Sequence, residues 1–252
     1  MQANLIPAFM LFMLISCQPL FAQQYGRRSA ANPYPDIQSL PLPPGYTRVQ
    51  VPNSSFAAWL RTVRLKTDRI VYLYDGKMKP RQDAQFAVLD ISVGNKDLQQ
   101  CADAIMRLRA EYLLSQKRWK EISFRDNVKG VYQCPSAPGR KTFEQYLEKV
   151  YAMCGTLSLE KQLYPRLMGS IQGGDVFIKG GSPGHAAIVM DVATNSKGDT
   201  AFLLANGFMP AQDIHIVLNP GEPGISPWFR TSKMEVIRLP EWKFMPNQLR
   251  RW

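Results

Sequence analysis

The rarest reactive side chains in this chain are its four cysteines and two histidines, spread over 252 residues. Cys101 opens the stretch CADAIMRLRAEYL, His185 follows the glycine-rich turn of GDVFIKGGSPGHAAIVMDV, and Asn206 stands in LLANGF. A thiol attacks a carbonyl carbon as the thiolate, so it needs a positive environment or a neighbouring base. The first turn of a helix offers the former through its unpaired N–H groups and dipole. An imidazole offers the latter, provided a third polar group holds its tautomer. Cys101, His185 and Asn206 supply these three types in the order nucleophile, base, orienter. Gly180, Gly181, Pro183 and Gly184 would keep the backbone thin before His185, leaving a substrate room to approach the ring.

Five other residues are candidates for supporting roles. Gln99 or Gln100 would donate an amide N–H to an oxyanion beside the Cys101 backbone N–H, although helix capping explains Gln100 equally well. His215 alternates with Ile214 and Ile216 and is an alternative orienter of His185. Asp175 and Asp191 read as anchors of a turn and a strand. Zinc sites commonly present short ligand pairs such as C-x-x-C or H-E-x-x-H. Neither occurs, so no metal is expected. The glycines of GGDVFIKGG flank a strand and do not lead into a helix, which is not the setting of a phosphate-binding loop. No cofactor is expected.

Elements that must position these residues follow from periodicity. Asp97 with Gln100 three residues on suggests a capping box, opening a helix to Gln116 with Leu98, Cys101, Ile105, Leu108 and Tyr112 on one face. Residues 141–153 form a second helix, and a Ser caps a short one within 54–63. Residues 69–76 and 84–94 read as a long hairpin, and 117–140 as polar and irregular. Strands are expected at 175–178, 185–193, 201–208, 214–218 and 233–239. Helices early and antiparallel strands late make an α+β domain over residues 49–252. Residues 23–48, rich in Pro, Gly, Gln and Arg, read as a linker or extended arm. The aromatics of SPWF (226–229) and EWKF (241–244) would suit an exposed binding surface.

Charge and the N-terminus set the context. A formal charge of +11 favours anionic surroundings such as envelope polymers or lipid headgroups. The basic residues are scattered without interleaved aromatics, which argues against nucleic acid as a partner. Residues 1–22 read as a signal peptide ending at Ala22, or as a lipoprotein signal ending at residue 16 that leaves Cys17 lipid-modified. Either route exports the protein, to the periplasm or to the outer membrane as a lipoprotein, with any membrane attachment through Cys17. Of the remaining cysteines, Cys134 and Cys154 would pair and leave Cys101 free, or all three stay unpaired in the core.

The order of parts resembles the papain-like cell-wall hydrolases, the NlpC-type peptidases and CHAP amidases. GDVFI followed by GHAAIVMDV is similar to their histidine hairpin, and CADAIMRLRAEYL takes the place of their nucleophile helix. The similarity spans roughly residues 85–218, with Gln100 where those families place an Asp and an insertion at about 115–170. DLQQCADAIMRLRAEYL, GDVFIKGGSPGHA and MPAQDIHI also resemble a secreted bacterial family catalogued only as a domain of unknown function. These resemblances imply a papain-like core, with the cysteine helix packed on an antiparallel sheet carrying the histidine. They imply an exported thiol hydrolase cleaving amide bonds, with cell-wall peptides or another envelope polymer as substrate. Two alternatives share the scaffold: a catalytically inactive protein binding an envelope glycan or protein partner, and a transglutaminase-like acyl transferase. An active thiol of this type would be alkylated below neutral pH faster than in the denatured chain.

Overall fold

The computed structural model describes residues 31–233 and 235–252. The export segment expected at residues 1–22, Cys17 included, lies outside them. Strands and helices run along the chain as β1 (Tyr46–Arg48), α1 (Phe56–Arg61), β2 (Gln85–Val88), α2 (Cys101–Ser115), β3 (Ser123–Arg125) and β4 (Val131–Gln133). Next come α3 (Arg140–Met153), α4 (Thr156–Gln162), β5 (Tyr164–Pro165), β6 (Val176–Lys179), β7 (His185–Asn195) and β8 (Thr200–Asn206). The chain finishes with β9 (His215–Val217), β10 (Trp228–Arg230), β11 (Ile237–Arg238), β12 (Lys243–Phe244) and β13 (Leu249–Arg251).

A nine-stranded antiparallel sheet dominates, in the order β2-β9-β8-β7-β6-β13-β5, with β1 also paired to β7 and β10 to β8. With its helices this makes a mixed α+β architecture. β7 lies in the middle and is buried from His185 to Ala193. A strand buried on both faces sends alternate side chains to two cores. Ala186, Ile188 and Met190 join the large cluster that includes α2, whereas Ala187 and Val189 join a second cluster with Phe177, Phe202 and Phe244. A register shift between Val189 and Asp191 reverses the alternation, so Val192 falls in the second cluster and Ala193 in the first.

α2 is the central helix. Ala, Leu, Met, Arg and Glu fill it, all strong helix formers. It is not the one-sided amphipathic helix that the spacing predicts: every residue from Cys101 to Leu108 is buried. Arg107 lies inside because Glu111 and Gln99 accept its guanidinium at 2.7 and 3.2 Å. The N-cap of α2 also falls three residues later than expected, at Gln100 instead of Asp97. Asp97 is engaged elsewhere, its Oδ1 accepting from the Ala211 N–H at 2.7 Å and from Gln100 Nε2 at 3.1 Å. Gln100 is the N-cap, and its own N–H donates to Asp103 Oδ2 at 3.0 Å. This puts Cys101 at the first helical position.

Three further expectations are corrected. Residues 31–48 are not a linker: Ile37 and Leu40 are buried, and β1 pairs with β7. Arg48 and, from α1, Arg61 both close on the buried Asp191 carboxylate at 2.7 Å, binding this segment to the sheet. Residues 69–76 and 84–94 do not form a long hairpin, because β2 pairs with β9 and the earlier stretch makes only isolated bridges, Tyr72 with Met78 and Leu73 with Gln212. The aromatics expected on the surface are mostly core: Trp228, Phe229 and Phe244 are buried, and Trp242 is half-buried.

The stretch at 115–170, read as an insertion beginning with irregular chain at 117–140, is built into the domain and is regular in part. It holds the β3–β4 hairpin, α3 and α4, and its Phe143, Leu147, Val150 and Leu159 complete the main core. Cys134 and Cys154 are unpaired, as is Cys101, and all three are buried. Among the described residues, no helix is long and apolar enough to cross a membrane.

Candidate active site around Cys101, His185 and Asn206

The ends of three elements converge here. β7 starts with His185, β8 ends with Asn206, and α2 starts with Cys101. Asn206 Nδ2 lies 2.8 Å from His185 Nε2, and both residues are 2% exposed. Asn206 therefore holds the imidazole, and His215 does not. His215 sits opposite Asn206 in the β8–β9 register, and its Nδ1 bonds the Asp213 carbonyl at 3.0 Å.

The two orientations of the Asn206 amide are isosteric and give opposite tautomers. With Nδ2 facing the ring, Nε2 accepts and the ring proton belongs on Nδ1, while Asn206 Oδ1 is left buried without a partner. With the amide rotated, Oδ1 accepts from Nε2–H and Nδ1 carries the free lone pair.

Strand alternation places His185 and Asn206 on the face of the second cluster. The His185 ring is packed among Phe208, Trp242 and Phe244 at centroid distances of 4.8, 5.2 and 5.8 Å. α2 covers the other face, so its first residue meets β7 at the strand's starting edge. The Ala186 N–H, one residue after the histidine, favours the Cys101 thiolate, as do the Cys101 and Ala102 N–H groups. Gly207 permits this approach: a Cβ there would sit 3.0 Å from the Gln100 carbonyl oxygen and 3.4 Å from Ala104 Cβ.

Electrostatics run against the expectation of a ready thiolate. Three backbone N–H groups favour the anion, but burial outweighs them and the nearby Asp103 carboxylate adds repulsion, pushing the Cys101 thiol up to about 11. Burial pulls His185 down to about 3, with His215 contributing in the same direction. Burial likewise pulls His215 down to about 4, opposed by its bond to the Asp213 carbonyl and assisted by Lys79. The resting site thus holds a neutral thiol and a neutral imidazole, not an ion pair.

Cys101 lines a cleft of about 310 Å³ together with Gln100, Asp103, Tyr151, Gly184 and Met209. A larger hollow of about 550 Å³ adjoins it, Leu98 and Tyr151 lining both. Gln99 belongs to the larger hollow, its Oε1 accepting from Arg107 and from the Tyr151 hydroxyl at 3.4 Å. Gln99 does not line the Cys101 cleft, and its donor Nε2 is buried without a partner. Gln100 remains in the Cys101 cleft.

The glycines before His185 do less to open space than expected. At Gly184 a Cβ would strike the Gly181 carbonyl at 2.3 Å and Thr156 Oγ1 at 2.4 Å, and at Gly180 it would meet Glu160 and Leu157 of α4. Only Gly181, at φ +116°, needs glycine for its backbone and borders open space.

Asp175 and Asp191 act as the anchors they were expected to be. Arg251 grips Asp175 through two nitrogens at 2.6 and 2.7 Å, and Asp191 holds the two arginines already described. Asp103, Tyr151 and the aromatic cage around His185 were not foreseen. Asp103 carried only a local signal, an acid in the first turn of a helix, and the cage has none in nearby sequence. No group of three or more potential metal ligands occurs among the described residues.

An α+β protein with a cysteine at a helix start and a hydrogen-bonded His–Asn pair at the ends of two central strands is the class these features define. The chain matches the family described as a domain of unknown function (4846) over residues 37–134 and 125–251, and it belongs to that family. Searches of curated proteins and of solved structures each return no match.

Proposed function

We propose that this protein is an exported thiol hydrolase with a papain-like arrangement, acting on amide bonds in cell-wall peptides. One observation carries the reading: the His185–Asn206 pair lies at 2.8 Å, and the Ala186 N–H next to that histidine favours the thiolate of a cysteine at the first position of a central helix. Each of the three polar groups is buried at a junction where a purely structural core would place apolar side chains.

Starting from neutral partners, the proton must move as the bond forms. His185, through Nδ1, takes the thiol proton while the sulfur attacks the amide carbonyl carbon. The Cys101 N–H would donate to the developing oxyanion, and Gln100 Nε2, which donates to Asp97 Oδ1 at 3.1 Å, would have to turn from that bond to join it. On collapse the C–N bond breaks, His185 returns the proton to the leaving nitrogen, and a free amine departs. Water then attacks the thioester with His185 again as base, releasing the carboxylic acid and the thiol. Positioned acid–base help of this kind is worth on the order of 10²- to 10⁴-fold. Asn206 Oδ1, accepting from Nε2–H, would keep Nδ1 in the basic form.

The neutral, buried Cys101 and His185 also favour a second reading, a binding scaffold without turnover. New amines released from isolated wall peptides separate the two. The hydrolase predicts release by the wild type, abolished by Cys101→Ala and His185→Ala and reduced about a hundredfold or more by Asn206→Ala. No release by folded wild-type protein, or release that survives Cys101→Ala, overturns the enzyme.

A further inference from the structure

The chain carries 31 Lys and Arg residues, yet none of the described residues lining the Cys101 cleft is Lys, Arg or His. Two carboxylates line it instead, Asp97 at the exposed rim and Asp103 inside. Asp103 is 5% exposed, and Asp103 Oδ2 receives the Gln100 N–H at 3.0 Å. Its other oxygen, Oδ1, is buried with no hydrogen-bond partner. The titratable groups coupled to it are Cys101 on its own helix, Tyr151 of α3, and Cys154 just beyond α3, while the buried Arg107 one turn on is engaged by Glu111 and Gln99. None of the coupled groups is a cation.

Capping accounts for one carboxylate oxygen only. An Asn at this position would accept the same Gln100 N–H without placing an acid beside the thiol. The acid is costly where it stands: burial drives its carboxyl well above the ordinary range, and its charge opposes formation of the thiolate. A buried acid with one oxygen lacking a donor and with no ion-pair partner is completed by a ligand that brings both.

We propose that the Cys101 cleft is a recognition subsite for a primary ammonium group, with Asp103 as its counter-ion and Asp97 as a charge at the entrance. The substrate class is then a peptide or aminoacyl compound that presents a free amine close to the carbonyl under attack. Binding such a group would also cancel the repulsion between Asp103 and the sulfur, so the cleft favours the thiolate once the right substrate occupies it. This inference rests on the hydrolase reading for the identity of the reaction, though the subsite itself is testable without turnover.

The test uses three thiol-specific probes of graded charge on the full-length folded protein: 2-aminoethyl, methyl and 2-sulfonatoethyl methanethiosulfonate. Labelling rates are followed on the Cys101 peptide by mass spectrometry and divided by those of the denatured chain. The expected result is a preference of at least about tenfold for the aminoethyl over the sulfonatoethyl probe. The preference should vanish in Asp103→Asn, which keeps the cap, and return in Asp103→Glu. Competition by glycinamide assigns a chain-terminal amine, and competition by Nα-acetyl-lysinamide a side-chain amine. Equal normalised rates for the three probes, an unchanged preference in Asp103→Asn, or no competition by either amine overturns the subsite. His185→Ala addresses the reaction separately. If His185 serves the thiol, this variant slows all three probes while preserving their ratio. If the rates do not change, the hydrolase reading fails and the charge preference still decides the subsite.

Discussion

Gly207 abuts the backbone of Gln100, and the fit has no spare room. A Cβ at position 207 would lie 3.0 Å from the Gln100 carbonyl oxygen, itself the acceptor of the Ala104 N–H in the first turn of α2. This single close approach joins the residue after Asn206 to the residue before Cys101. It therefore sets how the His185–Asn206 pair stands against the thiol.

Gly207→Ala is expected to separate those two halves without unfolding the domain. Overpacking of this size costs about 1–3 kcal/mol, which a shift in the urea midpoint would register. Amine release from wall peptides should fall more steeply than stability, since the shifted atoms are those of the site. Full activity together with unchanged stability would show that the contact relaxes freely.

Acid should destabilise the protein through its buried histidines. Unfolded, each imidazole takes up a proton near 6.5, whereas in the fold His185 resists until about 3 and His215 until about 4. Their contribution is complete above pH 6.5 and drains away as pH falls towards those lower values. Asp103 and Asp175, both raised by burial, titrate in the opposite sense and partly mask the trend. The urea midpoint should fall between pH 7 and 5 more steeply in Asp103→Asn than in the wild type. A flat profile in that variant would contradict the burial assigned to the two imidazoles.

Asp191 should be among the costliest single residues to neutralise. Its carboxylate is buried and takes Nε of both Arg48 and Arg61 at 2.7 Å, while their Nη2 groups bond the Leu40 and Val49 carbonyls at the same distance. Asp191→Asn leaves two cations without their anion, a loss of about 3 kcal/mol or more. Hydrogen exchange at residues 37–49 should quicken with it. A destabilisation below about 1 kcal/mol, the range of exposed pairs, would mean that the segment is held by its apolar contacts alone.

What nearby residues dictate was readable from sequence. The formers in CADAIMRLRAEYLL demand a helix, the nearly unbroken apolar run in HAAIVMDVA demands a buried strand, and helices preceding antiparallel strands made an α+β domain. Cys101, His185 and Asn206 could be singled out because polar, reactive side chains are expensive in such apolar settings. The start of α2 was harder. Asp97 is as good a cap as any, and only its bond to Ala211, 114 residues away in sequence, releases the helix to begin at Cys101. The pairing of β2 with β9, the incorporation of residues 31–48 and the face taken by His185 rest in the same way on partners far along the chain.

Protonation, too, was a tertiary outcome. A helix start predicts a lowered thiol, but the desolvation that outweighs it comes from β7, β8 and the residues around Asp103, none of which local spacing can place. Propensity and periodicity act within a few residues, so the sequence by itself determined which elements form and which side chains are chemically rare. Register, burial and charge balance depend on what the fold brings to each side chain, and these decided where the helix starts, which partner holds His185, and that the cleft beside Cys101 is acidic in a basic protein.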